Sequence, residues 1–158
     1  MDNSKQHVSY KEGILDCVNV SHIAFCVRDI DESLKFYRDI VGRIVDFDRG
    51  QDTTGGGLPA IYAHSRNNRR QVRLRFAEDA DPHFIMTTHP DDVVDGEPIK
   101  LDQIGISHFS FSMKDLSATR KHLTDNGVKF ASEMNAAGTD SSFFVYDPDG
   151  MIVQFDQA

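Results

Sequence analysis

The fold is decided by two stretches that align without a gap: Val20-Ser21-His22-Ile23-Ala24-Phe25-Cys26-Val27-Arg28-Asp29-Ile30 and Ile106-Ser107-His108-Phe109-Ser110-Phe111-Ser112-Met113-Lys114-Asp115-Leu116. Serine, histidine, phenylalanine and aspartate are each identical at one position. Most of the other pairs exchange one apolar residue for another, or arginine for lysine. Because four identities come with conserved chemistry at most other positions, the two stretches indicate a duplicated structural unit.

The sequence after each stretch predicts a helix and then a strand. In the first copy Asp29 or Asp31 can cap a helix, and the helix carries its apolar residues on one face: Ile30, Leu34, Tyr37 and Val41. Gly42 supplies the left-handed exit from this helix, and Arg43–Asp48 is predicted as a strand. In the second copy Asp115 caps a helix with Leu116 and Leu123, Gly127 ends it, and Val128–Ala131 begins a strand.

Two further strands complete each unit. They are predicted at Gln71–Phe76, His83–Thr88, Ser142–Tyr146 and Met151–Asp156. A turn at Glu78–Pro82 separates the first two of these strands, and the hairpin sequence Asp147-Pro148-Asp149-Gly150 joins the last two. The predicted fold class is therefore α+β: two tandem βαβββ modules form a cupped mixed β-sheet with helices on the outer face.

The same pattern divides the chain into segments. Residues 1–16 are predicted to be a polar N-terminal arm, and residues 17–158 a single domain. Within the domain, module one spans 17–90, a linker spans 91–102, and module two spans 103–158. Gly50–Gly57 is predicted to be a glycine-rich loop that can act as a flexible lid.

The composition excludes several classes of protein. The chain has 158 residues, with 17 Lys and Arg against 25 Asp and Glu, so its formal net charge is −8. That charge disfavours nucleic-acid binding, which depends on neutralising phosphates. No apolar stretch approaches the ~20 residues of a membrane span, no signal peptide opens the chain, and two cysteines are too few for a disulfide framework. We therefore expect a cytoplasmic protein with neither nucleic acid nor membrane as a partner.

The repeated strands place two histidines in equivalent positions. Because a strand alternates its faces, His22 shares a face with Ala24 and Cys26, and His108 shares a face with Ser110 and Ser112. Bulky residues take the opposite face of both strands. A single histidine on a strand is more often packed than a ligand, but duplication in register favours a pair that converges on one metal near a pseudo-twofold axis.

These features resemble a known superfamily. Paired βαβββ units, a histidine in the first strand of each, and the closing run Asp147-Pro148-Asp149-Gly150-Met151-Ile152-Val153-Gln154-Phe155 are similar to the vicinal oxygen chelate superfamily. That superfamily includes glyoxalase I, methylmalonyl-CoA epimerase, fosfomycin-resistance enzymes, extradiol dioxygenases and metal-free bleomycin-binding proteins. The resemblance covers about residues 18–157.

The resemblance implies a divalent metal held at up to four repeat-related positions. His22 and His108 match the two first-strand positions. Gln154 stands where the last strand of the second copy normally has glutamate, and Ile85 occupies the corresponding place in the first copy. His83 lies two residues before Ile85 on the same face and is a further candidate ligand. The implied cofactor is Fe, Mn, Ni or Zn, or none if the site is vestigial.

The substrate contacts and the reaction are less defined by the sequence. Arg73 and Arg75 share a strand face in a segment with five arginines in ten residues, Arg66–Arg75. They either bind an anionic substrate in the pocket or form a solvated face that pairs with carboxylates at a subunit contact. Cys26 and Ser110 lie on the histidine faces and are further candidates for substrate binding. No residue is identified as a catalytic base, because neither last-strand position holds glutamate.

The expected function is a metal-dependent enzyme for a small oxygenated substrate, of the dioxygenase, isomerase/lyase or transferase type. The alternative is a metal-free protein that binds and sequesters a small molecule, as bleomycin-resistance proteins do. We expect a homodimer, because relatives often dimerise and a paired sheet leaves edge strands to cover.

Overall fold

The fold is seen in a computed structural model, which describes residues 19–77, 82–132 and 141–158. The predicted arm at 1–16 lies outside the described residues, and so do Cys17 and all but the last residue of the predicted turn at 78–82.

Module one forms a four-stranded mixed sheet. Its strands are β1 (His22–Cys26), β2 (Ile44–Asp52), β3 (Asn68–Arg75) and β4 (His83–Thr88). They are arranged in the order β1-β4-β3-β2, in which β1 and β4 are parallel and the other pairs antiparallel. Helix α1 (Ile30–Leu34) continues into a π-helical stretch, Lys35–Ile40, and a 3-10 helix covers Leu58–Ile61.

Module two repeats this plan with a smaller sheet. Its strands are β5 (His108–Met113), β6 (Ser142–Tyr146) and β7 (Ile152–Gln157), in the order β5-β7-β6, with β5 and β7 parallel. Helix α2 covers Leu116–Asp125. The α+β class and the two repeated modules are therefore confirmed.

The helix boundaries follow from local chemistry. The Asp29 carboxylate accepts hydrogen bonds from the backbone N–H groups of Asp31 and Glu32, so Asp29 is the cap of α1. Asp115 caps α2 by accepting from the Ala118 N–H at 2.8 Å. Gly42 ends the first helical segment with a φ of 78°. This backbone conformation is unfavourable for any residue that has a Cβ atom, and glycine has none.

The structure departs from several of the predicted strand boundaries, and β3 begins at Asn68 rather than at Gln71. Strand β2 continues to Asp52, so it takes up the start of the predicted loop at Gly50–Gly57. It is held there by β3, whose Arg69 pairs with Gln51. The predicted strand Val128–Ala131 is reduced to a single bridge between Phe130 and Val145. For this reason the second sheet has three strands among the described residues.

One apolar core joins the two modules. It lies on the bulky faces of the sheets, beneath the helices, and its members come from both copies of the repeat. Phe84 of module one and Phe109 of module two have ring centroids 4.3 Å apart, and the Phe25 ring lies 5.5 Å from that of Phe109. Aromatic pairs at these separations add to the free energy of area burial.

A buried polar contact also crosses between the modules. The Tyr37 hydroxyl donates to the Asp147 carboxylate at 2.9 Å, and Asp147 begins the hairpin turn between β6 and β7. The other oxygen of Asp147 accepts from the backbone N–H groups of Asp149 and Met151. The predicted turn is thereby attached to the helix of module one.

Candidate functional site

Both histidine strands keep their polar faces away from the core. In β1 His22, Ala24 and Cys26 are exposed, while the alternate residues Ile23 and Phe25 are half-buried and contact the core. In β5 Ser110 and Ser112 are exposed and Phe111 is buried, with His108 half-buried on the serine face. Strand alternation thus places the two histidines on corresponding faces.

Each histidine has the same neighbour. Ser21 Oγ lies 3.0 Å from His22 Nδ1, and Ser107 Oγ lies 3.0 Å from His108 Nδ1. When Nδ1 donates its proton to the hydroxyl oxygen, the Nε2 lone pair faces outward as an acceptor. Histidines that bind metals have their second ring nitrogen held by a hydrogen bond in this way.

The strand register identifies the two last-strand positions. Ala24 of β1 pairs with Ile85 of β4, just as Ser110 of β5 pairs with Gln154 of β7. Ile85 is therefore the repeat equivalent of Gln154, as the sequence alignment predicted, and it has no donor atom. His83 pairs instead with His22, and its Nδ1 lies 3.1 Å from the Ser21 carbonyl oxygen.

Gln154 belongs to a polar network with Asp156. The Gln154 side-chain amide donates to Asp156 Oδ1 at 2.6 Å, and the Ser110 hydroxyl donates to Asp156 Oδ2. Both residues are half-buried on the polar face of β7. Sequence reasoning did not single out Asp156, although it follows Gln154 by two residues and therefore shares its face.

The donor set on these faces is limited. Within the described part of the chain, no group of three or more His, Cys, Asp and Glu side chains is placed to hold a metal ion.

Two of the predicted arginines form an ion-pair cluster inside the chain. Asp46, at a bulge in β2, pairs with both Arg73 and Arg75 of β3. Desolvation alone would raise the pKa of Asp46, but the hydrogen bonds from Arg73 and Arg75 outweigh it and lower the pKa. Arg73 also lies over the Phe47 ring, 4.8 Å from its centroid, and pairs across the sheet with Ile85. The arginines thus share the face of Ile85.

Cys26 lies on the His22 face beside β4. Burial raises the pKa of its thiol, against the lowering effect of a hydrogen bond with Thr87 and of the nearby Arg66 guanidinium. The residue still keeps exposed surface. A thiol with a raised pKa is a poor nucleophile at neutral pH, so covalent chemistry at Cys26 is disfavoured.

Among the described residues, two cavities have walls that include residues of both β1 and β5. The smaller cavity, of about 180 Å³, is lined by Ala24 of β1 and His108 of β5, and also by Pro98 and Ile99. The larger, of about 660 Å³, lies along β5 and has a largely apolar wall that includes the rings of Phe84 and Phe111. The same cavity is lined by Ser110 and by two cationic side chains, Arg43 and Lys114.

The segment that joins the modules is fixed next to the smaller cavity. Arg66, whose side chain is only 8% exposed, pairs with Asp92 and Asp95. Arg28 donates to the Gly96 carbonyl oxygen at 2.7 Å and pairs with Asp149 of the hairpin. These contacts hold the segment beside the first-strand residues of both modules. No sequence signal indicates them, because the partners are far apart along the chain.

The comparison with protein families decides the classification. Residues 19–155 match the model of the Glyoxalase/Bleomycin resistance protein/Dioxygenase superfamily. The chain belongs to this superfamily. The resemblance inferred from the repeat and the closing motif is therefore confirmed. No curated protein matches the chain significantly.

Several solved structures share the fold of this chain. The glyoxalase I of Leishmania major is 21% identical, with a TM-score of 0.62, over 88% of this chain and 86% of that one. A glyoxalase family protein from Bacillus cereus is 10% identical, with a TM-score of 0.72, over 93% and 98%. An antibiotic binding protein from Streptomyces sp. CB03234 is 18% identical, with a TM-score of 0.58, over 90% and 98%.

The solved structures that share the fold therefore include both a glyoxalase I and an antibiotic binding protein, and at these identities the likeness extends to the fold alone. In the described part of the chain no helix is both long enough and apolar enough to cross a membrane.

Proposed function

We propose that the chain is a metal-dependent enzyme that acts on a small oxygenated substrate chelated at a divalent metal. His22, His108 and Gln154 hold the metal, which is Fe, Mn, Ni or Zn. The observation that carries the proposal is the repeated contact of a serine hydroxyl with the Nδ1 atom of each histidine. In the tautomer in which Nδ1 donates to the serine oxygen, the same arrangement in both copies leaves each Nε2 atom able to bind a metal.

The donor chemistry fits a divalent metal at three of the four positions. Neutral imidazoles are ligands for Fe, Ni or Zn, and a carbonyl oxygen is a ligand for Mn. The amide nitrogen of Gln154 is held by Asp156. Ile85 contributes no donor, which leaves coordination positions for substrate oxygens or water. Because glutamine lacks the negative charge of glutamate, we expect weaker metal binding than in a site with glutamate.

The metal, when bound, supplies a Lewis acid that polarises a substrate oxygen. The protein's own residues orient the substrate. Arg73 and Arg75 offer guanidinium groups to an anionic substrate, with Asp46 fixing both side chains. Cys26 and Ser110 contact the substrate from the two histidine strands. The reaction is of the dioxygenase, isomerase/lyase or transferase type.

The test is the metal content of purified protein after loading with iron, manganese, nickel or zinc. The double variant His22→Ala/His108→Ala is expected to lose a near-stoichiometric metal that wild type retains. The matched control is His64→Ala/His122→Ala, since those histidines bind Asp95 and the Ile40 carbonyl oxygen instead. Equal metal content in wild type and the His22/His108 variant, with both folded, would overturn the proposal.

A second candidate function is a metal-free protein that binds and sequesters a small molecule. Ile85 in a ligand position favours it, and so does the phenylalanine-lined cavity of about 660 Å³ along β5. Its test is a thermal shift with bleomycin and planar aromatic probes in the presence of a chelator. A shift that persists in the chelator and in the His22→Ala/His108→Ala variant supports this function over the metal-dependent one.

The proposal also includes a single domain with modules at 17–90 and 103–158, a cytoplasmic location and a homodimer. The core shared by both modules supports the single domain. Strands β1, β2, β5 and β6 lie at sheet edges, which supports pairing with a second copy. Sedimentation velocity measures the oligomeric state, and a monomer at micromolar concentration would exclude the dimer.

A further inference from the structure

The side chain of Gln154 is held in one orientation by its neighbour. Its amide nitrogen donates to Asp156 Oδ1 at 2.6 Å. A carboxylate only accepts hydrogen bonds, so the NH₂ group of the amide must face it and Oε1 must point elsewhere. A glutamine without such a neighbour can turn its amide by half a rotation at little cost, because the two ends are nearly the same size.

Asp156 is itself fixed. Ser110 donates its hydroxyl to Asp156 Oδ2, so each carboxylate oxygen has its own donor. Ser110 is the cross-strand partner of Gln154, and Ser112 is the partner of Asp156. All of these residues lie on the face that carries His108, so the network is part of the strand pairing rather than a loose surface contact.

We infer that Asp156 is a positioning residue, which makes Gln154 present its oxygen, and not its NH₂ group, to a divalent metal. The inference rests on the proposed function, because it concerns the third donor of that site. A glutamate at this position would not need such a neighbour, because either of its carboxylate oxygens can bind a metal. Its negative charge would also repel the carboxylate of Asp156.

The experiment is a double-mutant cycle read by calorimetric titration with Zn²⁺ and with Ni²⁺ alone. Asp156→Ala is expected to weaken metal binding by about 10- to 100-fold, the usual effect of losing a partner of a metal ligand. In a Gln154→Glu background the same change is expected to leave the affinity unchanged or to raise it. The control Asp125→Ala removes one negative charge from the remote end of α2 and should leave the affinity as in wild type.

The cycle separates positioning from a general charge effect. If Asp156→Ala weakens binding equally in both backgrounds, Asp156 acts through space or as a ligand, and the inference is overturned. If Asp156→Ala fails to fold, as judged by circular dichroism, Asp156→Asn takes its place in the same cycle. Asparagine can both donate and accept, so it no longer forces the amide orientation, and its effect must also vanish in the Gln154→Glu background.

A metal-free readout distinguishes failure of this inference from failure of the proposed function. The side-chain NH₂ signals of Gln154 are assigned in the apo protein by their loss in Gln154→Glu. A shift of these signals in Asp156→Ala supports the orientation, and unchanged signals overturn it, whatever the metal content. If wild type binds no metal, the proposed function fails at His22 and His108. The role of Asp156 in positioning Gln154 for a metal is then overturned too, even if the Gln154 NH₂ signals shift in Asp156→Ala.

Discussion

Removal of the Tyr37 hydroxyl tests the polar contact between the modules. Tyr37 has no exposed surface, and its hydroxyl donates to Asp147, a residue that is only 5% exposed. Tyr37→Phe leaves the carboxylate with its two backbone donors and removes the third. Loss of a hydrogen bond to a buried charged group costs about 1.5–3 kcal/mol. With a urea m-value of about 2 kcal/mol/M, the midpoint should fall by on the order of 1 M.

Tyr62→Phe is the matched control, because it removes the same atom from a different setting. The Tyr62 hydroxyl is buried and has no hydrogen-bond partner among the residues that the structure describes. Its removal deletes an unsatisfied polar group. We expect a stability within about 0.5 kcal/mol of wild type, or above it.

The cost of Tyr37→Phe should also depend on pH. Burial raises the pKa of Asp147 above the usual value for an aspartate, and the hydrogen bond from Tyr37 opposes the rise. A carboxyl group with a raised folded-state pKa contributes stability that is complete below the unfolded-state pKa and lost as the pH rises through the folded-state pKa. Without Tyr37 the folded-state pKa rises further, so more stability is lost by neutral pH.

Urea unfolding of wild type and both variants, at about pH 7 and about pH 4, measures these differences. The free-energy cost of Tyr37→Phe should be larger at the higher pH, while that of Tyr62→Phe should not change. Equal midpoint shifts in the two variants, or a Tyr37→Phe cost that is the same at both pH values, would refute the stabilising role of the Tyr37–Asp147 hydrogen bond.

Three further changes have defined outcomes. Gly42→Ala should lower the free energy of unfolding by about 1–2 kcal/mol. Gly42 has a φ of 78° and a Cβ atom there would meet only open space, so backbone strain is the whole effect. Urea unfolding measures the loss, and a variant as stable as wild type would contradict the left-handed exit. Cys26, isolated by Cys17→Ser, should react with iodoacetamide more slowly than free cysteine at neutral pH, since burial raises its thiol pKa; an equal rate would contradict this. Ser21→Ala with Ser107→Ala should weaken Zn²⁺ binding about 10- to 100-fold, as read by calorimetry, and an unchanged affinity would remove the serines from the site.

Local features of the sequence determined much of the fold. Asp115 caps α2 as predicted, Asp29 is the one of the two candidates that caps α1, and Gly42 ends the first helical segment as expected. The polar faces of β1 and β5 also follow from alternation alone. These features depend on residues a few positions apart, whose relative placement is fixed by the covalent chain and by steric limits on φ and ψ. Because the sequence is repeated, the same relations between local sequence and structure apply in both modules.

The register of the last strands could be predicted in part. Counting from the closing motif placed Gln154 and Ile85 at equivalent positions, and the pairing of β1 with β4 and of β5 with β7 agrees. The sequence left His83 open as a substitute, because a shift of two residues keeps a side chain on the same face. Only the hydrogen-bonded ladder fixes which residue lies beside His22.

Contacts between distant segments were decided by the tertiary structure alone. The pairing of Tyr37 with Asp147 joins residues far apart in the chain, and it forms only when both modules pack on one core. The network of Gln154, Asp156 and Ser110 likewise needs β5 and β7 side by side. Side chains that could make such contacts have many potential partners in the unfolded chain. Which partner is selected depends on the packing of the whole fold, so a local sequence pattern does not determine these pairs.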